Sequence, residues 1–235
     1  MLKISKPKLL ILGIHSSLAP NLITKAKKSG FEIYGTTHHK RFTDITQTVG
    51  LSGIFDLQID DLHTTKSQLD KIGAHKYKRI ISLIGATSKN LDTNDEFSLS
   101  RYYQTLSLNL NLTHAEIFKF LELDGSFLYM SSRAAIYGSY DEHYAAVKAS
   151  NTAFLLSLRR QCASTQSVIP VACSLIETSL MYERMSPNNQ DLHRERTGNK
   201  LVQIEEVTEV LLRENLLDEK SNFKNGVYHL GRDFN

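Results

Sequence analysis

Short apolar runs recur along this chain, most of them followed by a stretch of helical periodicity, and that alternation restricts its architecture more than any other feature. Lys8 to Leu12, Phe31 to Thr36, Phe55 to Ile59, Arg79 to Ile84, Phe127 to Met130, Val168 to Ser174 and Gly226 to Leu230 read as strands. Pro20 to Ser29, Leu99 to Leu121, Asp141 to Arg160 and Glu205 to Leu217 read as helices. Pro20 suits a first helical turn and Gly30 lies just past the last. Continuous apolar strands need cover on both faces, and helices of roughly ten or more residues between them supply it. The predicted fold class is α/β, a doubly wound parallel sheet of the Rossmann type. In such sheets a ligand lies beyond the carboxyl ends of the strands.

A chain of 235 residues suits one such domain, expected to span 1–235. The net charge of +3 gives no case for nucleic acid or a membrane surface as partner. Two cysteines, Cys162 and Cys173, make no disulfide framework, so a reducing, cytoplasmic setting is expected. Lys3, Lys6 and Lys8 precede an apolar run, Leu9 to Leu12, that is too short for a signal-peptide core or a membrane span. The polar stretch from Ser186 to Lys200 reads as a long surface loop or lid.

The chemistry-bearing residues fall at predicted strand ends or on the helices that follow. Gly13 ends the first strand and opens the run Gly13-Ile14-His15-Ser16-Ser17-Leu18-Ala19. A tight turn there lets backbone N–H groups and a helix N-terminus face a pyrophosphate, with Ser16 and Ser17 as added hydroxyl donors. His38, Lys40 and Arg41 follow the second strand, where a carboxylate would grip ribose hydroxyls; this basic end suits a 2′-phosphate instead. Asp60 and Asp61 follow the third strand, and a carboxylate there can accept a hydrogen bond from an adenine amino group. Ile84 and Gly85 close the fourth, where glycine lets backbone pass near a ligand.

Tyr144 and Lys148 are four residues apart on a predicted helix and share a face. An ammonium beside a phenol is expected to draw the tyrosine pKa down towards the working range. Ala145 and Ala146 between them leave room for a cofactor, and Ser131-Ser132 ends the strand upstream, where a hydroxyl can hold a substrate carbonyl. Roughly 0.7 Tyr-x-x-x-Lys pairs are expected by chance. The force of this single pair lies in its register: strand, Ser-Ser, short segment, helix.

Taken together, these residues resemble the short-chain dehydrogenases/reductases over essentially the whole chain. The resemblance runs through Gly13 with Ser16 to Ala19, Asp61-Leu62, Gly85, Asn109, Ser131-Ser132, Tyr144 with Lys148, Ile176-Glu177-Thr178 and the closing Gly226 to Leu230. It implies hydride transfer between NADP(H), favoured over NAD(H), and a carbonyl/alcohol pair. The implied catalytic residues are Asn109, Ser132, Tyr144 and Lys148, with Asn109 holding a water in a proton relay. The implied cofactor contacts are Gly13, His15, Ser16, Ser17, Leu18, His38, Lys40, Arg41, Asp61, Leu62, Ile84, Gly85, Tyr144, Lys148, Ile176 and Thr178. A homodimer or homotetramer built on the helices of Asn109 and Tyr144 is implied too. Substrate contacts are expected from Ala135 to His143 and from Met181, Tyr182 and Met185.

The sequence departs from the family pattern in places. Ser17 and Ala19 stand where glycines are usual, Ser82-Leu83-Ile84-Gly85 where Asn-Asn-Ala-Gly is usual, and Cys173-Ser174 where Pro-Gly is usual. Ser132 to Tyr144 is one residue short of the commonest spacing, which leaves Ser131 as the rival serine; Asn111 is the rival to Asn109. Two other readings stay open: a non-catalytic NADP-binding sensor, and a nucleotide-sugar epimerase or dehydratase suggested by Ser132-Arg133-Ala134-Ala135-Ile136-Tyr137-Gly138. The intact Ser, Tyr and Lys speak against the first and the chain length against the second. The histidines and cysteines show no zinc-binding spacing. Phe118, Phe120 and Phe154 read as core.

Overall fold

The computed structural model describes residues 5–37, 50–59, 62–85, 95–139, 141–174, 176–177, 187, 191, 201–214 and 216–231. Among them the strands are β1 (Lys8–Leu12), β2 (Glu32–Thr37), β3 (Gly53–Asp56), β4 (Tyr77–Ser82), β5 (Leu121–Ser132), β6 (Ser167–Cys173), β7 (Phe223–Lys224) and β8 (Val227–Leu230). They form one sheet in the order β3-β2-β1-β4-β5-β6-β8-β7, parallel except for the closing β7–β8 hairpin. Chain order reverses between β1 and β4, which places a crevice at their carboxyl ends.

The principal helices are α1 (Ala19–Lys28), α2 (Leu62–Ile72), α3 (Glu96–Phe118), α4 (Ala134–Tyr137), α5 (Glu142–Leu158) and α6 (Ile204–Leu212). Strand alternation sorts the core into two layers. Leu9, Ile11, Leu128, Met130 and Val171 pack with Leu22 and Ile23 of α1 and with Val207 and Leu211 of α6. Leu10, Leu12, Ile80, Phe127 and Tyr129 face the other way, onto Leu69 and Ile72 of α2, Leu110 and Ile117 of α3, and Val147 and Leu155 of α5. Burying one such aliphatic side chain is worth about 1.5–3 kcal/mol, so both faces of the central strands anchor the sheet.

Most elements fall where the sequence places them, with instructive exceptions. The fifth strand starts at Leu121, not Phe127, because the Leu121 end pairs with Tyr77 of β4 across a register shift. The preceding helix accordingly stops at Phe118 rather than Leu121. The last helix ends at Leu212 instead of Leu217; Leu216, whose spacing prolongs the apolar pattern, sits buried in a separate turn, Leu216–Asp218. Helix α2 and the strand β7 have no counterpart in the sequence reading. The expected lid, 186–200, lies almost wholly outside the described residues.

Candidate active site

The crevice is built first from glycine. Gly13 has φ +85°, a left-handed conformation that side chains resist, and a Cβ there would sit 3.3 Å from Ile84 Cγ1. The β1 turn thus passes directly over the end of β4. Thr36 of β2 fixes the turn: its hydroxyl accepts from the Gly13 N–H at 3.1 Å and its carbonyl from the Ile14 N–H at 3.0 Å. His15 and Ser17 are exposed, and the His15 ring bonds the Thr37 hydroxyl. The Ser16 hydroxyl accepts from the Leu18 N–H at 3.3 Å. Leu18 and Ala19 are buried in the core, so the small side chain at 19 serves the packing of α1 against the sheet. Pro20 removes one more N–H from the first turn.

At the neighbouring strand end, Gly85 is exposed, and a Cβ on it would lie 3.2 Å from Lys148 Nζ. Any larger residue would displace the lysine. Lys148 itself is buried, donating to the carbonyls of Met130 at 2.7 Å and Ile84 at 3.2 Å, between the ends of β4 and β5. Burial pushes its pKa down to about 7.

Tyr144 lies one turn earlier on α5. Asp141 caps that helix, accepting from the Tyr144 N–H at 2.9 Å, which pins the tyrosine in the first turn. The Ser132 side chain is placed to hydrogen-bond the Tyr144 hydroxyl. Burial holds this phenol above its ordinary value; the Ser132 bond pulls it back, while nearby Cys173 and Asp141 add to the rise. The expected lowering by Lys148 is therefore not what these residues show. The ammonium is turned to two carbonyls, 6.0 Å from the centre of the Tyr144 ring, and burial sets the direction of the shift.

Of the two adjacent serines, Ser132 reaches Tyr144, and its hydroxyl also accepts from the Ala134 N–H at 3.2 Å. Ser131 is buried with its hydroxyl 2.6 Å from that of Thr152. Asn109 is buried in α3 and donates its amide to the Ile59 carbonyl at 2.8 Å, beyond β3. Asn111 instead reaches Ser150 at 3.2 Å, between α3 and α5. Leu62 opens α2. Ile176 bridges Val202 and packs against the core, on the far side of the sheet's centre from β1. His38, Lys40, Arg41, Asp61 and Thr178, with Met181, Tyr182 and Met185, lie outside the described residues.

Two residues around Lys148 escaped the sequence reading. Tyr129 is fully buried with its ring centre 4.7 Å from Lys148 Nζ. His114 of α3, also fully buried, packs edge-on to Tyr129 and hydrogen-bonds Ser82 at 2.9 Å. Burial, with the Lys148 charge nearby, holds its pKa down to about 3, so this histidine is neutral. Strand alternation puts Tyr129 on the same face as Ser131, a signal present in the sequence.

No protein-family model matches the sequence, and no curated protein matches it. Solved structures do match its fold. One is a short-chain dehydrogenase/reductase, a glucose/ribitol dehydrogenase from Brucella melitensis, with 17% identity and a TM-score of 0.75 over 95% of this chain and 94% of that one. Acetoin dehydrogenase from Enterobacter cloacae gives 14% identity and 0.72 over 97% and 95%. BdcA, solved in complex with NADPH, gives 14% and 0.69 over 95% and 92%. At such identities the likeness establishes the fold, which is that of the short-chain dehydrogenases/reductases.

Proposed function

We propose that this chain, as a single domain over 1–235, is an oxidoreductase that transfers hydride between NADP(H) and a small carbonyl/alcohol substrate. The observation that carries the reading is the convergence of Ser132, Tyr144 and Lys148 at the carboxyl ends of β4 and β5, beside the crevice between Gly13 and Gly85. The left-handed Gly13 and the exposed Gly85 leave backbone bare where a dinucleotide must approach closely, so the residues fit such a cofactor. When bound, the nicotinamide supplies the hydride.

The chain's own residues then divide the remaining work. Ser132 orients the carbonyl oxygen and, by its bond to Tyr144, keeps the phenol aimed at the same place. Tyr144 donates the proton in the reduction direction; a phenol held above its ordinary value stays protonated until that moment. Lys148 is poised to exchange its carbonyl partners for ribose hydroxyls. Asn109, whose amide N–H donates to the Ile59 carbonyl, holds the water of a proton relay. Ile136 and Tyr137 of α4 are exposed beside Ser132 and form an apolar lip for substrate.

Leu108 and Leu112, one turn apart and exposed on α3, support assembly into a homo-oligomer through this helix. The free thiols of Cys162 and Cys173 fit a cytoplasmic setting. Among the described residues no helix is long and apolar enough to cross a membrane. A panel of aldehydes, ketones and diketones assayed by NADPH absorbance tests the function. Consumption of NADPH tied to one carbonyl class is expected; tight NADPH binding with no turnover across the panel favours the sensor.

A further inference from the structure

The environment of Lys148 contains one partner whose chemistry is neither hydrogen bonding nor charge. Tyr129 lies on β5, three residues before Ser132, and turns its ring into the layer shared with α3 and α5. Its ring centre is 4.7 Å from the ammonium, well inside the distance at which an aromatic face attracts a cation, whereas Tyr144 at 6.0 Å is at the limit. The Tyr129 hydroxyl is buried and has no hydrogen-bond partner among the described residues. A phenol that leaves its hydroxyl unused while its face meets a buried ammonium is placed for its ring.

We propose that Tyr129 is a positioning residue of this site, its buried ring acting as a cation–π seat that keeps the Lys148 ammonium charged and fixed between the ends of β4 and β5. The proposal rests on the reading of Lys148 as the residue that holds the cofactor ribose. It adds that the lysine's readiness depends on an aromatic face from the strand below.

The surroundings say why such a seat matters. Burial penalises the Lys148 charge, and two carbonyl acceptors and one ring face oppose that penalty. Among the described residues the titratable groups facing the ammonium are His114 from α3, Tyr129 from β5 and Tyr144 from α5, and the chain leaving β4 brings the Ile84 carbonyl and the nearby Gly85. His114 is neutral over the working range, and both phenols are held above their ordinary value. No carboxylate is among these groups. Among the described residues the ring quadrupole is thus an electron-rich surface that meets the charge alongside the two carbonyls.

The test weakens the ring without changing its shape. Tyr129→Phe is made first, then 4-fluoro-, 3,5-difluoro- and 3,4,5-trifluorophenylalanine are incorporated at the same position, each step withdrawing electron density from the face. The Lys148 titration is followed by NMR of 13C-labelled lysine in the full-length protein, its signal identified by loss in Lys148→Met. Tyr129→Phe should leave the midpoint in place, because the hydroxyl has no role. Along the fluorinated series the midpoint should fall stepwise, reaching about tenfold in the ionisation constant, equivalent to about 1.4 kcal/mol. A midpoint constant across the series, with circular dichroism and Tm unchanged, overturns the proposal. So does a shift in Tyr129→Phe as large as that of the trifluoro ring. The titration needs neither cofactor nor turnover, so it stands or falls separately from the oxidoreductase reading, which the NADPH assay decides.

Discussion

The hydroxyl of Ser131 lies 2.6 Å from that of Thr152, and Thr152 in turn donates to the backbone carbonyl of Lys148 at 2.7 Å. With the Thr152 proton committed, Ser131 must be the donor to Thr152. A strand end is thereby tied through two hydroxyls to the backbone of the helix residue on which the proposed chemistry depends. The neighbouring Ser132 meets Tyr144 instead.

The two serines should therefore fail in opposite ways. Ser131→Ala leaves a buried Thr152 hydroxyl short of a donor and should cost about 1 kcal/mol of stability while retaining most of the turnover. Ser132→Ala should cost no more stability than Ser131→Ala and lower kcat on the order of a hundredfold, as loss of a group that holds the reacting oxygen does. Equilibrium unfolding and steady-state kinetics on both variants check this; the reverse pattern would reassign the functional serine.

Removing the proposed proton donor gives a third outcome. Tyr144→Phe should lower the single-turnover rate about a hundred- to ten-thousand-fold, with NADPH affinity nearly intact, because the lost hydroxyl acts on substrate. Lys148→Ala should weaken NADPH binding as well. A Tyr144→Phe rate above a tenth of wild type would remove Tyr144 from its assigned role.

Two buried bases make stability depend on pH, each in a defined window. His114 has a folded pKa of about 3 against an ordinary 6.5, so the unfolded chain binds more protons between those values. Its contribution is complete above about pH 6.5 and is lost as pH falls towards 3, at up to about 1.4 kcal/mol per unit. Lys148, depressed to about 7 from 10.5, has the same sign in a higher window. Its charge opposes folding fully below about pH 7, and the penalty is relieved as pH rises towards 10.5. Urea unfolding at pH 7 and 9.5 should show Lys148→Met gaining stability over wild type at pH 7 and losing most of that advantage at pH 9.5. An advantage independent of pH would mean that Lys148 is not desolvated.

Cofactor choice is the fourth expectation. The basic residues His38, Lys40 and Arg41 follow β2, whose last residue, Thr37, brings no carboxylate to the ribose end of the crevice. NADP(H) should bind at least tenfold more tightly than NAD(H), about 1.4 kcal/mol, by titration calorimetry. Equal affinities would sink the idea.

The parallel sheet was legible because each strand carries its own apolar run, and the Tyr144–Lys148 pair because helical spacing fixes its face. Helix α2 was not, for a physical reason. Thr65 and Gln68 share its inward face with Leu69 and Ile72; Thr65 bonds the Gln58 carbonyl and Gln68 accepts the Gln58 N–H at 2.7 Å, so polar residues interrupt the apolar stripe. The start of β5 was hidden likewise, since exposed Leu123 and Asp124, followed by Gly125, imitate a turn. What the motif could not convey is the electrostatic state of the site. The pair's spacing says that an ammonium accompanies the phenol, but only burial and the two carbonyls determine where that ammonium points and how readily it carries charge.

The bond from Asn109 to Ile59 has a mechanical consequence. It clasps the centre of α3, which packs against the helix of Tyr144 and Lys148, to the chain leaving β3 on the outer flank of the other half of the sheet. The halves on either side of the crevice are continuous through β1 and β4 and fastened again by this bond, so the described residues tie them together at two levels. The crevice is then a gauge of fixed span. A molecule reaching from the β2 end to Tyr144 would then have to match that length.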